Sequence, residues 1–464
     1  MTSEKLVVLL NPSGKKNYIR DYYCSKTSKS DYSYTPVDFL YIGAYLKSSC
    51  KLQYIDCIID NISPDRLLER LSELRPDIVV TLTGYVSWRE DFALFGKIKA
   101  ALPSTRLVGS GDILLGSNLE LLFGNSFLDA ILYDFSSSEI IDYCSGVKRE
   151  FEDISYKDED NNIVRNISNP RKKVEEISIG IPPHDIFPLA KYEYSFIRRK
   201  PFATVLTDYS CPYRCTFCIM STLGYKYRSV ADIIGELDYL KERGIKEIYF
   251  ADQTFGANKK NTRNLLEQMR EKDYRFSWVC FSRADTINQS NIGLMKATGC
   301  HTIIFGVEFG NDDNLEATKK DLVTSQIDSA IDLCREHGIR TVGTFMLGEA
   351  THTVDDLRDI VDYSTSLELD FASFNVYVPR VDDYLKSLGD LDAVDCYDQS
   401  GAEVKSFSPK ISDDVLATYH RLARRRFYLR PGYILRRLAM VKTFVELKIL
   451  ARESFYLLRG IYSI

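Results

Sequence analysis

Short apolar runs and amphipathic segments alternate along residues 5–147, which predicts strands and helices in turn. The predicted strands are Lys5–Leu10, Leu52–Asp56, Asp77–Leu82, Arg106–Val108 and Leu128–Leu132. The predicted helices are Pro36–Lys47, Ser63–Leu74, Glu90–Ala100, Asn118–Leu122 and Ser136–Tyr143. Five strand–helix units in succession favour an α/β fold with a doubly wound parallel sheet. In such a sheet, ligands lie beyond the carboxyl ends of the strands.

The same alternation of apolar runs and amphipathic segments begins again at Phe202 and continues to Val376. The predicted strands are Phe202–Leu206, Glu247–Phe250, Ser277–Phe281, Thr302–Gly306, Arg340–Leu347 and Phe371–Val376. The predicted helices are Ser229–Arg243, Asn258–Glu271, Gln289–Ala297, Thr324–His337 and Val354–Leu367. Six such strands predict a partial (β/α)6 barrel, whose functional groups gather at the carboxyl ends of the strands.

Three cysteines follow the first of these strands directly, with the spacing C-x3-C-x2-C: Cys211, Cys215 and Cys218. Thiolates hold iron–sulfur clusters, and a cubane usually takes four of them. A set of three leaves one iron open to a ligand that does not come from the protein. The alternative is a structural zinc site, but zinc loops usually pair with a second set of cysteines or histidines, and this chain has no such second pair.

Composition and charge narrow the class of protein. A chain of 464 residues is long enough for two or three domains, and its net charge of −5 gives no general indication of nucleic-acid binding. The eleven cysteines do not form a disulfide-like pattern, and the amino terminus does not resemble a signal peptide, so we expect a cytoplasmic protein. No apolar run reaches the roughly 18–20 residues that span a bilayer.

The cysteine loop, with Phe217 before its third cysteine, resembles the radical SAM superfamily. The resemblance implies a [4Fe-4S] cluster on the three cysteines, with S-adenosylmethionine (SAM) on the open iron. It also implies that Asp252 accepts a hydrogen bond from the methionyl ammonium, that Arg283 and Glu308 contact the methionyl carboxylate and the ribose hydroxyls, and that Phe217 contacts the adenine. The other interpretation of these polar residues is a set of salt bridges at the barrel rim.

The first region resembles the cobalamin-binding-like domain of the cobalamin-dependent radical SAM family, which includes radical methyltransferases and the anaerobic magnesium-protoporphyrin cyclase. The resemblance rests on Asn11-Pro12, on Val37–Leu46 followed by Asp56, on Arg75–Val79 and on Val108–Gly111.

Three departures from that family are visible in the sequence. The D-x-H-x-x-G signature is absent, the usual Gly-Gly-Pro-His stretch is Gly109–Asp112, and the usual Gly-Glu-Gly-Glu turn is Asp134–Glu139. Replacing a glycine can close the approach of the backbone to a ligand. Two hypotheses follow: cobalamin binds without a protein histidine below the metal, or the domain is a retained module that binds nothing.

The predicted domains are a cobalamin-binding-like domain at 1–149, a linker at 150–196, a radical SAM core at 197–400 and a basic helical extension at 401–464. The resemblance implies an enzyme that cleaves SAM to a 5′-deoxyadenosyl radical for cobalamin-dependent C-methylation of an unactivated carbon. The alternatives are a non-methylating radical SAM cyclase or oxidoreductase and a non-enzymatic iron–sulfur protein. The expected partners are a small-molecule or lipid-like substrate and an electron donor such as flavodoxin or ferredoxin.

The end of the chain has its own electrostatic character. Residues 421–464 carry eleven Lys and Arg against two Glu, a local charge of +9. Apolar residues form a helical stripe with cations opposite: Ile434, Leu435, Leu438, Val441, Val445 and Leu447. We expect the stripe to pack on the barrel and the basic face to be solvated. The other interpretation is a peripheral contact with an anionic membrane surface.

Overall fold

The structure is a computed structural model. It describes residues 4–116, 119–147, 150–165, 174–379, 398–401, 404–439, 441 and 444–462. Asn118, with which the fourth helix is predicted to begin, and the side chain of Val445 lie outside the described residues.

The first sheet has seven strands, and five of them are the predicted parallel strands. These are β1 (Leu6–Asn11), β2 (Lys51–Asp56), β3 (Ile78–Leu82), β4 (Arg106–Ser110) and β5 (Ala130–Leu132). Their order is β2-β1-β3-β4-β5, which is the flavodoxin-like arrangement. Two antiparallel strands that the sequence did not predict, β6 (Ile154–Lys157) and β7 (Ile163–Val164), extend the sheet beyond β5.

Five helices connect or follow these parallel strands: α1 (Val37–Leu46), α2 (Pro64–Leu74), α3 (Trp88–Ala101), α4 (Leu119–Ser126) and α5 (Glu139–Ser145). The predicted start of α2 is confirmed, because the Ser63 side chain accepts a hydrogen bond from the Arg66 amide at 3.3 Å and Pro64 is the first helical residue.

The second large sheet has six parallel strands in sequence order, as predicted. They are β9 (Phe202–Val205), β12 (Glu247–Phe250), β13 (Ser277–Ser282), β14 (Cys300–Glu308), β15 (Arg340–Leu347) and β16 (Phe371–Val376). A small sheet made of β8 (Glu175–Ile177), β10 (Asp208–Tyr209) and β11 (Lys226–Arg228) lies beside the first strand. The helices of this region are α6 (Val230–Glu242), α7 (Lys259–Glu271), α8 (Gln289–Ala297), α9 (Asp312–Ala317), α10 (Thr324–Glu336) and α11 (Val354–Ser366).

The chain ends in three helices, α12 (Asp413–Tyr428), α13 (Pro431–Ala439) and α14 (Phe444–Tyr462). The expectation that their apolar stripe packs on the barrel is wrong, since Leu435 is 69% exposed and Leu438 is 57% exposed. On α13 the buried residues are Tyr433 and Arg437. The break between α13 and α14 also divides the predicted stripe between two helices.

None of the helices in the described part of the chain combines the length and the apolar character needed to cross a membrane. The limits of the four domains remain predictions. The pairing of β6 and β7 with the first sheet ties residues 154–164 to the first region.

Candidate active site

A large cavity, of about 1200 Å³, opens at the carboxyl ends of the barrel strands. It is lined mainly by the rim of the barrel, the loop between β1 and α1, and the three final helices, with residues 194–196, 399–401 and 404 between them. The contribution of the first region comes from residues 21–34, which cross from their own sheet to the barrel. The carboxyl-end location agrees with the position predicted for the functional groups.

The three predicted cysteine ligands all line this cavity. Cys215 is buried, whereas Cys211 and Cys218 are half-buried. Backbone bonds shape the loop, with the Cys218 amide donating to the Cys215 carbonyl at 3.2 Å and the Thr216 amide donating to the Thr318 carbonyl at 3.0 Å. The loop is therefore anchored both to itself and to the segment after α9.

The surroundings of the thiols suit the anionic cluster that the cysteine spacing predicts. Among the described residues, no three Cys, His, Asp or Glu side chains converge in the way that one metal ion requires. In a cubane each thiolate binds a different iron, so its ligands stand around the cluster rather than at one point. Burial raises the pKa of the Cys215 thiol, and the nearby Lys320 and Arg283 act in the opposite direction. These cations suit an anionic, thiolate-bound cluster.

Arg283 lies beside the cysteines, at the end of β13. Its Nη1 is 3.9 Å from the Cys215 Sγ, and its guanidinium lies 3.6 Å from the centre of the Tyr213 ring. The same guanidinium donates to both carboxylate oxygens of Asp285, at 3.1 and 3.2 Å, and to the Lys320 carbonyl at 2.7 Å. Most N–H groups of Arg283 are thus bonded within the protein. The alternative interpretation, a salt bridge at the barrel rim, therefore describes part of the role of Arg283.

Glu308, at the end of β14, adopts a backbone φ of +70° where the pairing with β15 shifts register. Its carboxylate accepts from the Lys320 ammonium at 3.3 Å. A Cβ atom on Gly306 would lie 2.6 Å from the Glu308 Oε1 and 2.9 Å from the Lys320 Nζ, so a larger residue there would displace this ion pair. All three residues line the cavity. Lys320 was not predicted from the sequence, because it lies in a polar stretch that carries no motif.

Phe217 also lines the cavity, and its ring meets the Phe309 ring edge-on at 5.8 Å. The Lys320 ammonium lies 5.8 Å from its centre. One predicted residue is placed differently: Asp252 is fully buried and does not line the cavity. Its Oδ1 accepts from the Thr207 amide at 2.7 Å and from the Asp208 amide at 2.6 Å. Gln253 and Thr254, its neighbours, face the cavity instead.

The first region contributes directly to this site. The Tyr22 hydroxyl accepts from the Ser210 amide at 2.7 Å and donates to the Asp208 carbonyl at 3.1 Å, which fixes the turn just before the cysteines. Cys24 lines the cavity together with the three motif cysteines. No local pattern predicts these contacts, because the partners are separated by about 190 positions in the sequence.

The predicted ligand-binding edge of the first sheet is occupied by the chain itself. The Arg20 guanidinium is fully buried and pairs with Asp91 at 2.8 Å. It also donates to the Asn11 side chain at 3.2 Å and to the Pro12 and Ser13 carbonyls at 2.9 and 3.2 Å. The loop after β1 is therefore filled by a side chain from a few residues downstream.

The loops after β3 and β4 are filled in the same way. Asp112, which stands where the family has histidine, accepts from the Ser25 amide at 2.9 Å and from the Ser25 hydroxyl at 2.7 Å. A Cβ atom on Gly84 would lie 2.2 Å from the Ser25 Cβ. The glycine thus admits Ser25 and leaves no gap there for a cofactor.

Phe135 lies in the Asp134–Glu139 stretch that stands in place of the family's Gly-Glu-Gly-Glu turn, and it is completely buried. Its ring lies between the two regions, 5.5 Å from the rings of Tyr22 and Tyr23 and 5.0 Å from the Tyr209 ring. The cavity lining contains none of residues 11–14, 83–85 and 109–112, which directly follow the strands, and it does not contain Phe135. The residues at this edge therefore do not fit a bound cobalamin.

Comparisons with known proteins agree with the site that the cysteine loop indicates. The model of the Radical SAM superfamily matches residues 207–364. An uncharacterized methyltransferase of Pyrococcus horikoshii is 29% identical over 356 residues, which cover 74% of this chain and 76% of the relative. The anaerobic magnesium-protoporphyrin IX monomethyl ester cyclase of Rubrivivax gelatinosus is 20% identical over 443 residues, covering 90% of this chain and 78% of the relative.

The solved structure of TsrM from Kitasatospora setae, a radical S-adenosylmethionine methyltransferase with cobalamin and a [4Fe-4S] cluster bound, has the same fold. The TM-score is 0.68 at 16% identity, and the match covers 99% of this chain and 100% of that one. The cofactors of the radical SAM family are a [4Fe-4S] cluster and SAM. Residues 207–364 form a radical SAM domain, and the chain that carries this domain is an enzyme.

Proposed function

We propose that the enzyme removes a hydrogen atom from a substrate held in the cavity above the cysteine loop. The observation that carries this proposal is the placement of Cys211, Cys215 and Cys218 on the wall of one cavity of about 1200 Å³. Ligand pockets usually measure roughly 300–1,000 Å³, so this cavity has room for SAM together with a second molecule.

The chain's own residues have distinct roles in this proposal. The three cysteines hold the cluster, which, when bound, supplies the electron that cleaves SAM to methionine and a 5′-deoxyadenosyl radical. Arg283 and Lys320 place positive charge beside Cys215, while Glu308 and Phe217 present a carboxylate and a ring to SAM. Asp252 is a positioning residue, since its carboxylate holds the turn from which the cysteine loop begins.

The filled edge of the first domain favours chemistry without cobalamin. Arg20, Ser25 and Phe135 occupy the space beyond the strand ends, so the predicted domain retains its architecture without a place for that cofactor. This observation favours a non-methylating reaction, such as a cyclisation, an oxidation or a rearrangement that starts from a substrate radical.

Cobalamin-dependent C-methylation is the second candidate. It is favoured by the likeness of the whole chain to TsrM, which spans both domains. The two candidates differ in an observable way, because only methylation requires cobalamin in the protein and a methyl group in the product. The substrate, the electron donor and the cytoplasmic location remain predictions.

The test is anaerobic reconstitution with iron, sulfide and SAM, followed by measurement of 5′-deoxyadenosine and methionine. We expect Cys215→Ala to lose both the visible absorbance of the cluster and SAM cleavage, because three thiolates are the whole protein ligand set. Cys24→Ala, which removes a cavity cysteine outside the motif, is the matched control and should keep both.

Formation of 5′-deoxyadenosine by Cys215→Ala would refute the assignment of the cluster ligands. Absence of SAM cleavage by a fully loaded wild-type enzyme under strong reduction would refute the proposed function. A cobalamin spectrum in the purified protein, together with a methylated product, would select the second candidate over the first.

A further inference from the structure

The exposed apolar side chains of this protein are concentrated at its end. Ten large hydrophobic residues are exposed in the described part of the chain, and six of them lie on α13 and α14. They are Ile434, Leu435, Leu438, Leu447, Phe455 and Leu458. Single exposed apolar residues are common on protein surfaces, but several of them on two successive helices indicate a contact with another apolar body.

The orientation of α13 is the reverse of the usual one. Its inner side is polar or amphipathic: the Tyr433 hydroxyl donates to the Asp370 carbonyl at 2.9 Å, and Arg437 lies 3.9 Å from the centre of the Phe371 ring. Its outer side presents Leu435 and Leu438, which are 69% and 57% exposed. A helix normally buries its apolar stripe, so this one is arranged for an apolar environment on its outer side.

The same residues rim the cavity. Ile434, Leu438 and Leu458 are both exposed and part of the cavity lining. Leu450 and Leu457 continue the apolar wall inward. A molecule that enters along α13 and α14 meets these leucine and isoleucine side chains together with the polar side chains of Arg437, Glu453 and Ser454.

Cations surround this face. Residues 421–464 carry a charge of +9, and Arg421, Arg425 and Lys448 are exposed. Basic residues near an apolar helical face suit the surface of an anionic bilayer, which attracts each Lys or Arg close to it. A second copy of the chain would bring another +9 to the same contact, which is unfavourable.

We propose that the outer face of α13 and α14 docks on an anionic bilayer, and that the cavity takes an amphipathic lipid from that bilayer as its substrate. The docking stands on its own, whereas the substrate class rests on the proposed function. The helices would lie in the interface without crossing it, with the leucines inserted and the arginines at the level of the headgroups.

Docking is tested by co-sedimentation of the full-length, cluster-loaded protein with vesicles, without SAM or substrate. We expect binding to phosphatidylcholine vesicles that contain phosphatidylglycerol, and weaker binding to pure phosphatidylcholine or at high salt. Leu435→Glu/Phe455→Glu should weaken the binding by about tenfold or more, since two apolar side chains no longer leave water. Val147→Glu/Val174→Glu, which adds the same charge at exposed valines elsewhere, should bind like the wild type.

The thermal midpoint and cluster absorbance of each variant show whether it has folded. Absence of binding to any of the vesicles would overturn the docking proposal. So would a wild-type dimer, measured by light scattering, that Leu435→Glu/Phe455→Glu converts to a monomer, because the face would then belong to a second copy.

The substrate class is tested with dansyl-undecanoic acid, a fluorescent fatty acid, in the absence of vesicles. We expect saturable fluorescence enhancement with the wild type and about tenfold weaker binding with Ile434→Glu/Leu438→Glu, which places charge at the cavity rim. No enhancement with the wild type would overturn the lipid substrate while leaving the docking result intact. Neither result depends on SAM cleavage, so a failure here is distinct from a failure of the proposed function.

Discussion

At the level of single residues, Lys320 links several parts of the proposed SAM pocket. Its ammonium lies 3.3 Å from the Glu308 carboxylate and 5.8 Å from the centre of the Phe217 ring, and its charge acts on Cys215. Its position beside a cysteine ligand suggests that it stabilises the reduced, more negative form of the cluster.

Lys320→Met should therefore make the cluster harder to reduce. Loss of one nearby positive charge corresponds to roughly 1 kcal/mol, or on the order of 40 mV toward more negative potential, with partial screening. A redox titration followed by electron paramagnetic resonance measures the shift. Lys319→Met removes the exposed lysine next to it and is the control. Equal potentials in the two variants would contradict the role given to Lys320.

Residue identities at the strand ends could be predicted only in part. The cysteines, Phe217, Arg283 and Glu308 follow strands whose apolar runs are clear in the sequence, and all of them reach the cavity. Asp252 follows such a strand equally closely but turns its carboxylate toward the amides of Thr207 and Asp208. A strand end fixes where the backbone emerges, but the direction of a side chain there depends on donors from another loop.

At the level of elements, the loop between β1 and α1 determines what the first domain can bind. Its anchor is the buried pair of Arg20 and Asp91, both of whose side chains are fully buried. Breaking a buried pair by removing one partner leaves an uncompensated charge, which usually costs about 3–5 kcal/mol.

We expect Arg20→Ala to lower the free energy of unfolding by about that amount, as measured by denaturant titration. Arg20→Met/Asp91→Leu removes both charges and should recover much of the loss. Arg66→Ala, which breaks an exposed pair with Glu69 on α2, should have no measurable effect. A similar stability for Arg20→Ala and Arg66→Ala would show that the loop is not held by this pair.

Lys29 fastens the same loop to the barrel. Its ammonium donates to the Phe374 carbonyl at 2.6 Å and to the Asn375 side chain at 2.8 Å, both on β16. Burial, with a further contribution from Arg424, lowers its pKa to about 7. Above pH 7 the unfolded chain therefore binds more protons at this position than the folded chain does, so the contribution of Lys29 to stability rises with pH up to its unfolded pKa of about 10.4.

Lys29→Met should abolish this dependence. The free energy of unfolding of the wild type, relative to that of the variant, should rise between pH 7 and pH 10. Anaerobic denaturant titrations across that range measure the difference. Lys260→Met, at an exposed position of α7, is the control and should parallel the wild type. Parallel profiles for wild type and Lys29→Met would show that burial does not perturb this lysine.

Elements with strong periodicity were predicted within a few residues, as in the six barrel strands and in α2. The loop between β1 and α1 was not predicted, because its structure depends on partners such as Asp91 and Asp112 that lie far along the chain. The prediction that the apolar side of α13 packs on the barrel is wrong. Periodicity shows that a helix has two faces, but only the neighbouring elements decide which face is turned inward.

At the level of the whole molecule, the two domains share one cavity. The barrel supplies the cysteines and the strand ends, the first domain supplies residues 21–34, and the final helices supply the apolar rim. The joint between the domains is aromatic, with Phe135 and Tyr22 of the first domain against Tyr209 of the second. The domain order was predictable from the order of the motifs, whereas the shared cavity depends on contacts between distant residues.

Residues 21–34 of the first domain cover the cysteine loop, so the site in the barrel depends on that domain. The first domain contributes to the radical SAM site even without a cofactor of its own. Here its deletion would open a radical site to water and remove the Tyr22 contact that shapes the cysteine loop. The first domain therefore serves the site through these contacts, in addition to any cofactor that it binds.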